Sequence, residues 1–105
     1  MQMIPILQSN QKELAEICRQ RHVRRLSIFG SAASGDFHPS TSDLDLLVEF
    51  DPLPPAEHAR HYFGLLEDVE RLFHLPVDLV ESAPIRNPYF RKAIEETQVD
   101  LYVAA

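Results

Sequence analysis

The stretch Ser27–Phe50, SIFGSAASGDFHPSTSDLDLLVEF, decides the fold of this chain. It begins as a short apolar strand, turns at Gly30-Ser31, crosses a polar connection, and becomes a second strand that starts at Asp43. Asp43 and Asp45 are two residues apart, so on a strand both side chains point to the same face. Two acids on one face and apolar residues on the other suit a divalent cation better than a hydrophobic core. The stretch therefore predicts a metal site on one face of a sheet.

The composition limits the class of protein. The chain has 105 residues, of which 45% are hydrophobic and 25% are charged, as is typical of a globular protein with one core. We therefore expect one domain over residues 1–105, with no room for a separate substrate-binding domain. The net charge of −6 argues against direct binding of nucleic acid, which needs a basic surface. It favours cations or a basic protein partner.

The sequence carries no signal for export or for membrane insertion. Its first ten residues, MQMIPILQSN, lack the basic segment and long apolar stretch of a signal peptide. No apolar run approaches the roughly 18 residues that indicate a membrane-spanning helix. The single cysteine, Cys18, excludes an intramolecular disulfide and is expected in the core. We expect a cytoplasmic protein without membrane contact.

Periodicity predicts three helices and four strands. Asn10 and Glu13 resemble a capping box at the start of a first helix, and Asn87-Pro88 begins a short helix with Tyr89, Phe90 and Ile94 on its inner face. The first helix covers 10–21, the longest helix 56–73, and the strands 23–29, 43–50, 76–80 and 99–103. Because both hairpin and helix connections join these strands, we expect an α+β (α/β) fold, a mixed β-sheet of about four strands packed against helices.

A third acid, Asp78, lies in the third predicted strand. If that strand is the neighbour of the second one, Asp78 joins Asp43 and Asp45 on one face. Three carboxylates in a partly dry site repel one another, and a pair of Mg²⁺ ions, about 4 Å apart, would neutralise them. The Gly30-Ser31 turn then offers backbone amides and a hydroxyl group to a phosphate. Metals on the acids and phosphates on the turn together predict nucleotidyl transfer.

These residues resemble the signature of the minimal nucleotidyltransferases, a branch of the DNA polymerase β nucleotidyltransferase superfamily. The family pattern runs Gly-Ser, then usually Ala-Arg-Gly, then Ser-Asp-x-Asp-Leu, and FGSAASGDFHPSTSDLDLLVEF is similar to it. The segment VDLV at 77–80 resembles the strand with the third carboxylate. The segment 88–102 resembles the C-terminal helix and short strand of the family. The resemblance implies the small nucleotidyltransferase fold.

The resemblance also implies an activity, a cofactor and a partner. Family members of this size are typically MntA-like antitoxins of type VII toxin–antitoxin modules, which transfer AMP from ATP to a tyrosine of a HEPN-domain toxin. A homo- or hetero-oligomer is compatible with this role. Asp78 would complete the metal site and help to deprotonate the acceptor hydroxyl. The implied catalytic and Mg²⁺-binding residues are Asp43, Asp45 and Asp78, and the implied nucleotide-binding residues are Gly30, Ser31 and Ser42.

Two departures from the family pattern leave alternatives open. Ser34 stands where the family often has Arg, and the segment from Ser31 to Asp43 is one residue longer than the pattern. If the usual Arg holds the triphosphate, its loss would weaken ATP binding and leave an antitoxin that neutralises the toxin by contact alone. A nucleotidyltransferase for a small-molecule acceptor such as an aminoglycoside is a further alternative. Relatives of that kind carry an additional helical domain.

Two histidines form a separate candidate site. His58 and His61 are three residues apart on the longest predicted helix, so they share one face. A metal-binding pair is one interpretation. We favour the other interpretation, a solvated helix face.

Overall fold

The computed structural model describes residues 5–30, 33, 43–82 and 87–104. Their elements are α1 (Pro5–Ser9), α2 (Gln11–Gln20), β1 (Val23–Ile28), β2 (Leu44–Phe50), α3 (Pro55–Phe73), β3 (Val77–Glu81), α4 (Pro88–Thr97) and β4 (Val99–Val103). The observed strands agree with the predicted ones to within one residue at each end, and α1 is an additional helix. No helix in these described segments has the length and apolar character needed to cross a membrane.

The four strands form one mixed sheet in the order β3-β2-β1-β4. β1 pairs antiparallel with β2 and with β4, whereas β2 pairs parallel with β3. Parallel neighbours need a long crossover connection, and α3 supplies it. β3 lies at the edge of the sheet, as Pro76 at its start indicates. The predicted α+β fold with a mixed sheet packed against helices is confirmed.

The two faces of β2 differ in burial. Leu44, Leu46, Val48 and Phe50 are buried, and the residues between them, Asp45, Leu47 and Glu49, are half-buried. The buried face contributes to one apolar cluster with α2 and α3, whose members include Leu14, Cys18, Leu65, Val69 and Phe73. Burial raises the pKa of the Cys18 thiol to about 12, so the prediction of a core cysteine is confirmed. The acidic positions of β2 face away from this core.

The helix α4 packs on the acidic face of the sheet. Its residue Ile94 is buried and lines one cleft together with Leu47 of β2. The Asn87 side chain caps the helix by accepting hydrogen bonds from the backbone N–H groups of the second and third helical residues. Tyr89 is 84% exposed, so its assignment to the inner face is wrong. The start of α4 is therefore predicted correctly, and its inner face only in part.

The structure corrects two further expectations. Asn10 occupies the N-cap position of α2, but its side chain makes no capping hydrogen bond, so the predicted capping box is not formed. His61 is buried, and its ring lies edge-on to that of His22 with the centroids 4.8 Å apart. The solvated face predicted for His58 and His61 is thus wrong for His61. His58 instead contacts Glu81 of β3 through its Nε2 atom.

Candidate active site

The parallel register of β2 and β3 brings two of the predicted site carboxylates together. Asp45 pairs directly with Asp78, and paired residues of neighbouring strands project to the same face of the sheet. Asp43 lies just before β2, two residues from Asp45. Asp43 and Asp78 are exposed, whereas Asp45 is half-buried. The predicted adjacency of Asp78 to the Asp-x-Asp pair is confirmed.

The three carboxylates form a region of unneutralised negative charge. Burial raises the pKa of Asp45, and the charges of Asp78 and Asp43 raise it further. Within the described part of the chain, none of the three takes part in an ion pair. An acid whose pKa is raised by burial and by like charges is a typical feature of functional sites. A bound cation would relieve this repulsion.

The acids fit a metal that binds together with a phosphate. Among the described residues, no three His, Cys, Asp or Glu side chains converge closely enough to hold a metal ion alone. Mg²⁺ commonly takes one or two carboxylates and completes its shell with water and with substrate phosphates. Asp45 and Asp78, paired across the two strands and without a cationic partner there, match that requirement. The described geometry therefore fits a shared site better than a preformed all-protein cage.

Gly30 lies against the Asp45 carboxylate. Its φ of 67° is in the left-handed region, which glycine adopts without steric cost. A Cβ atom at this position would lie 2.5 Å from Oδ2 of Asp45. The neighbouring Phe29 donates its backbone N–H to the carbonyl oxygen of Asp45 at 3.1 Å. The turn after β1 and the acid of β2 thus meet at one place, where a larger residue would displace the carboxylate.

Two of the predicted nucleotide-binding residues, Ser31 and Ser42, lie outside the described residues, as does Ser34. The buried Ala33 donates its backbone N–H to the carbonyl oxygen of Gly30 at 3.1 Å. This is the hydrogen bond of a tight turn. The predicted turn at Gly30 is therefore confirmed, and the roles of the two serines stay predictions.

The helix α3 fixes the strand that carries Asp78. On one side of Asp78, the backbone N–H of Val77 donates to Oε2 of Glu70 at 3.0 Å. On the other side, the Tyr62 hydroxyl donates to the carbonyl oxygen of Leu79 at 2.6 Å. Because both neighbours of Asp78 are bound to the same helix, its backbone position is held even though β3 is an edge strand. The sequence contains no local signal for these contacts.

A fourth aspartate, Asp100, lies on the same face of the sheet and has hydrogen-bond donors as partners. The Oδ1 atom of Asp100 in β4 accepts hydrogen bonds from Ser27 Oγ at 2.7 Å and from Arg25 Nε at 2.8 Å. The hydrogen bond from Arg25 is the main cause that lowers the pKa of Asp100, and the one from Ser27 lowers it further. Sequence reasoning did not single out this acid. The structure identifies it as a stabilising group.

An open cleft of about 550 Å³ lies between the sheet and α4. Its walls carry both charges, and Arg91 donates to the carbonyl oxygen of Ser82 at 3.3 Å. The cleft lies on the acidic face of the sheet and contains none of the predicted site residues. Its described lining consists of Arg25, Leu47, Glu49, Phe50, Ser82, Arg91, Ile94, Glu95 and Gln98.

Comparison with known proteins identifies nucleotidyltransferases as similar to this chain. The sequence profile of the nucleotidyltransferase domain family matches residues 11–101. A proposed protein adenylyltransferase of Methanocaldococcus jannaschii is 39% identical over 74 residues, which cover 70% of this chain and 72% of that protein. The protein adenylyltransferase MntA of Thermococcus cleftensis is 32% identical over 91 residues, which cover 87% of this chain and 85% of that protein.

Solved structures share the fold. A proposed minimal nucleotidyltransferase has a TM-score of 0.66 at 29% identity, covering 89% of this chain and 90% of that one. A toxin–antitoxin complex with AMP-PNP has a TM-score of 0.68 at 19% identity, with coverages of 90% and 74%. A chain from the complex of a tri-AMPylated Shewanella oneidensis HEPN toxin with an MNT antitoxin has a TM-score of 0.63 at 17% identity, with coverages of 93% and 73%.

The last two likenesses show the fold alone, because their identities are low. The family match spans α2 through most of β4 and includes the strands that carry Asp45 and Asp78. The two relatives are 39% and 32% identical to this chain, over 72% and 85% of their own length. The chain is therefore an enzyme that belongs to the nucleotidyltransferase domain family, as one of its minimal members.

Proposed function

We propose that this protein is the antitoxin of a type VII toxin–antitoxin module. With Mg²⁺ as its cofactor, it transfers AMP from ATP to a tyrosine of a HEPN-domain toxin. The observation that carries the proposal is the direct pairing of Asp45 with Asp78 beside Gly30. The names of the relatives, protein adenylyltransferases, support AMP transfer. The structurally similar complexes, one with AMP-PNP and one with an AMPylated HEPN toxin, support ATP as the nucleotide and a HEPN toxin as the partner. A cytoplasmic location follows from this substrate and partner.

The residues of the chain have distinct roles in this proposal. Asp43, Asp45 and Asp78 would hold Mg²⁺, as two ions in the full site, and the bound metal would neutralise the charge of the triphosphate. The glycine turn and two serines hold the phosphates of ATP: Gly30, Ser31 and Ser42. Because Asp78 is exposed at the sheet edge, an acceptor from another protein reaches it without passing through the core.

The transfer step balances without a further reactant. The tyrosine oxygen of the partner attacks the α-phosphorus of ATP, a new O–P bond forms, and the bond to the bridging oxygen breaks. Pyrophosphate leaves with the electron pair of that bond. Asp78 accepts the hydroxyl proton as general base.

A labelling experiment tests the proposal. ATP labelled in the α-phosphate is incubated with Mg²⁺, a purified HEPN-domain toxin and the enzyme. We expect label on the toxin with the wild type and none with Asp43→Asn or Asp45→Asn. Asp100→Asn is the matched control, because Asp100 lies on the same face but is paired with Arg25 and Ser27, and it should label fully. Equal labelling by all the variants would show that the metal assignment is wrong.

A second candidate function is neutralisation by contact alone. The feature that favours it is Ser34, where the family often has Arg. If that Arg holds the triphosphate in the family, its absence here would weaken ATP binding. Co-expression of the toxin with an Asp43→Asn, Asp45→Asn double variant separates the two candidates. Growth rescued as well as by the wild type would favour contact alone. Loss of rescue, with the complex still formed in a pull-down, would favour AMP transfer.

A further inference from the structure

Two aromatic side chains meet at the edge of the candidate active site. Phe29 directly precedes Gly30, and its ring lies edge-on to the ring of Phe90 in α4, with the centroids 6.2 Å apart. Phe29 is 7% exposed, whereas Phe90 is 42% exposed. One part of the Phe90 ring is therefore packed against the protein, and another part faces solvent. The contact lies one residue from the turn that approaches Asp45.

The helix α4 holds the Phe90 ring in place. The Asn87 side-chain oxygen accepts hydrogen bonds from the backbone N–H groups of Tyr89 and Phe90 at 2.9 Å and 3.2 Å. Ile94, which follows one helical turn later, is 3% exposed and anchors the same helix face. A ring on a capped and anchored helix loses little conformational freedom when a ligand binds to it. α4 thus presents a preorganised aromatic surface beside Phe29, the residue that precedes the Gly30 turn.

This surface matches the part of a nucleoside triphosphate that the acids do not bind. In the proposed function the acids hold the metal, and the metal and the Gly30 turn hold the triphosphate. The base is a flat ring, and proteins commonly bind such rings by stacking them on aromatic side chains. Phe29 and Phe90 are the aromatic pair that the described structure places next to Gly30.

We infer that Phe90 is the nucleobase platform of this enzyme, with its exposed surface stacked on the adenine ring of ATP and Phe29 supporting it from the protein side. The inference rests on the proposed function, since it takes a nucleoside triphosphate as the substrate. Stacking is tolerant of the base, because every base has a π face. The platform therefore gives affinity for the nucleoside and little discrimination between adenine and guanine.

Tryptophan fluorescence tests the platform directly. The chain contains no tryptophan, so Phe90→Trp introduces a single reporter at this position. We expect Mg²⁺-ATP to quench its fluorescence and Mg²⁺ with inorganic tripolyphosphate to leave it unchanged. Phe63→Trp is the matched control, because Phe63 is 65% exposed on α3, and ATP should not change its fluorescence. ATP binding without any change in the fluorescence of the Phe90→Trp variant would overturn the inference.

Calorimetric titration gives a second, independent readout. Phe90→Leu keeps an apolar side chain against Phe29 and removes the π face, so the fold is retained. We expect its Kd for Mg²⁺-ATP to rise roughly tenfold, which is within the usual range for loss of one base–aromatic stack. Its Kd for tripolyphosphate should equal that of the wild type. Normal ATP affinity with weakened toxin affinity would instead make Phe90 part of a protein-contact surface and overturn the platform.

The binding measurements contain no toxin, so the inference and the proposed function fail separately. If ATP quenches the fluorescence of the Phe90→Trp variant while the wild type transfers AMP to no toxin, the platform is supported and the proposed function is contradicted. If the wild type transfers AMP to the toxin but substitution of Phe90 leaves the ATP affinity unchanged, the proposed function is supported and the platform is contradicted.

Discussion

Asp45 and Asp100 project from the same face of the sheet but lie in opposite electrostatic surroundings. Asp100 accepts hydrogen bonds from Arg25 and Ser27, and its pKa is lowered. Asp45 faces Asp78 and Asp43, and its pKa is raised. The residue type is the same, and the strands are separated only by β1. Burial and like-charged neighbours at Asp45, against a guanidinium and a hydroxyl donor at Asp100, separate the proposed metal ligand from the structural carboxylate.

This contrast divides one face of the sheet into two regions. The β1–β4 side supplies the partners of its own acid, so its charges stabilise the fold. The β2–β3 side concentrates acids without cationic partners in the described structure, which costs stability and creates a binding potential for cations. The following variants test this division, in order of decreasing expected effect.

Asp78→Asn should have the largest effect, because it removes the proposed proton acceptor. We expect kcat for AMP transfer to fall by about 10²- to 10⁴-fold, the usual range for a general base. The KM for ATP should change only a few-fold, since Asp43, Asp45 and the phosphate turn remain. Steady-state kinetics with a HEPN-domain toxin give both values. Glu81→Gln on the same strand is the control, and a kcat that falls equally in both variants would contradict the assignment.

Gly30→Ala tests the close approach between the turn and the acid. A non-glycine residue in the left-handed region costs about 1–2 kcal/mol, and the new Cβ must displace the Asp45 carboxylate. Urea denaturation should show that loss in the free energy of unfolding. The labelling assay should show loss of AMP transfer.

Gly64→Ala in α3 is the matched control for Gly30→Ala. A Cβ there meets the mobile end of Arg21, which pairs with Asp68 at 2.9 Å. The gain of about 1 kcal/mol in helix propensity is offset by disturbance of that part-buried ion pair, a loss of about the same size. We expect nearly unchanged stability and activity. If Gly30→Ala behaves in the same way, the close contact at Asp45 has no importance.

Ser27→Ala weakens the paired region. The Ser27 side chain is 1% exposed, and loss of its hydrogen bond to Asp100 should lower the free energy of unfolding by about 1 kcal/mol. Because the pKa of Asp100 is lowered in the folded state, its contribution is present above its unfolded pKa of about 3.9. It is lost as the pH falls through the folded pKa. The Tm difference between variant and wild type should therefore shrink from pH 7 to pH 3, and a constant difference would contradict this pairing.

Of Gly30→Ala, Ser27→Ala and Asp45→Asn, the last should have the smallest effect on the free energy of unfolding, and it should stabilise the protein where the other two destabilise it. Because the pKa of Asp45 is raised in the folded state, the ionised carboxylate destabilises the wild type at neutral pH. The penalty disappears as the pH falls below the unfolded pKa of about 3.9. We expect a gain of about 0.5 kcal/mol without metal, the low end for charge changes, because solvent screens a half-exposed group.

Thermal melts with and without Mg²⁺ check this expectation. Without Mg²⁺ the Asp45→Asn variant should melt above the wild type, and the addition of Mg²⁺ should raise the Tm of the wild type only. A variant that melts below the wild type at pH 7 would mean that Asp45 stabilises the fold, and the contrast with Asp100 would be lost.

The sequence predicts the strands and the acid pair for a clear physical reason. The two-residue period of β2 separates its buried residues from Asp45, and VDLV carries the same alternation around Asp78. In both strands the acid lies between apolar residues, so burial of those residues turns both acids to the other face of the sheet. Such local periodic signals hold because burial of the apolar positions determines them.

The parts that were not predicted depend on contacts between distant segments. The spacing of His58 and His61 gives a shared helix face. His61 differs from His58 because its ring packs against His22, a distant residue with a φ of 60°. The role of Asp100 depends on Ser27, 73 residues earlier in the chain. Long-range neighbours of this kind have no local signature, so sequence reasoning assigns residue types to strands but not their partners.

The edge position of β3 gives Asp78 a further importance for solubility. An edge strand leaves one row of backbone N–H and C=O groups open to pairing with another chain, and charged side chains on such strands oppose this. β3 is short, and among its five residues, VDLVE, only Asp78 and Glu81 are charged. Replacement of Asp78 by an apolar β-branched residue would leave VVLVE at the rim, a segment prone to self-association. We therefore expect the charge of Asp78, besides its proposed catalytic role, to oppose pairing of this edge with copies of itself.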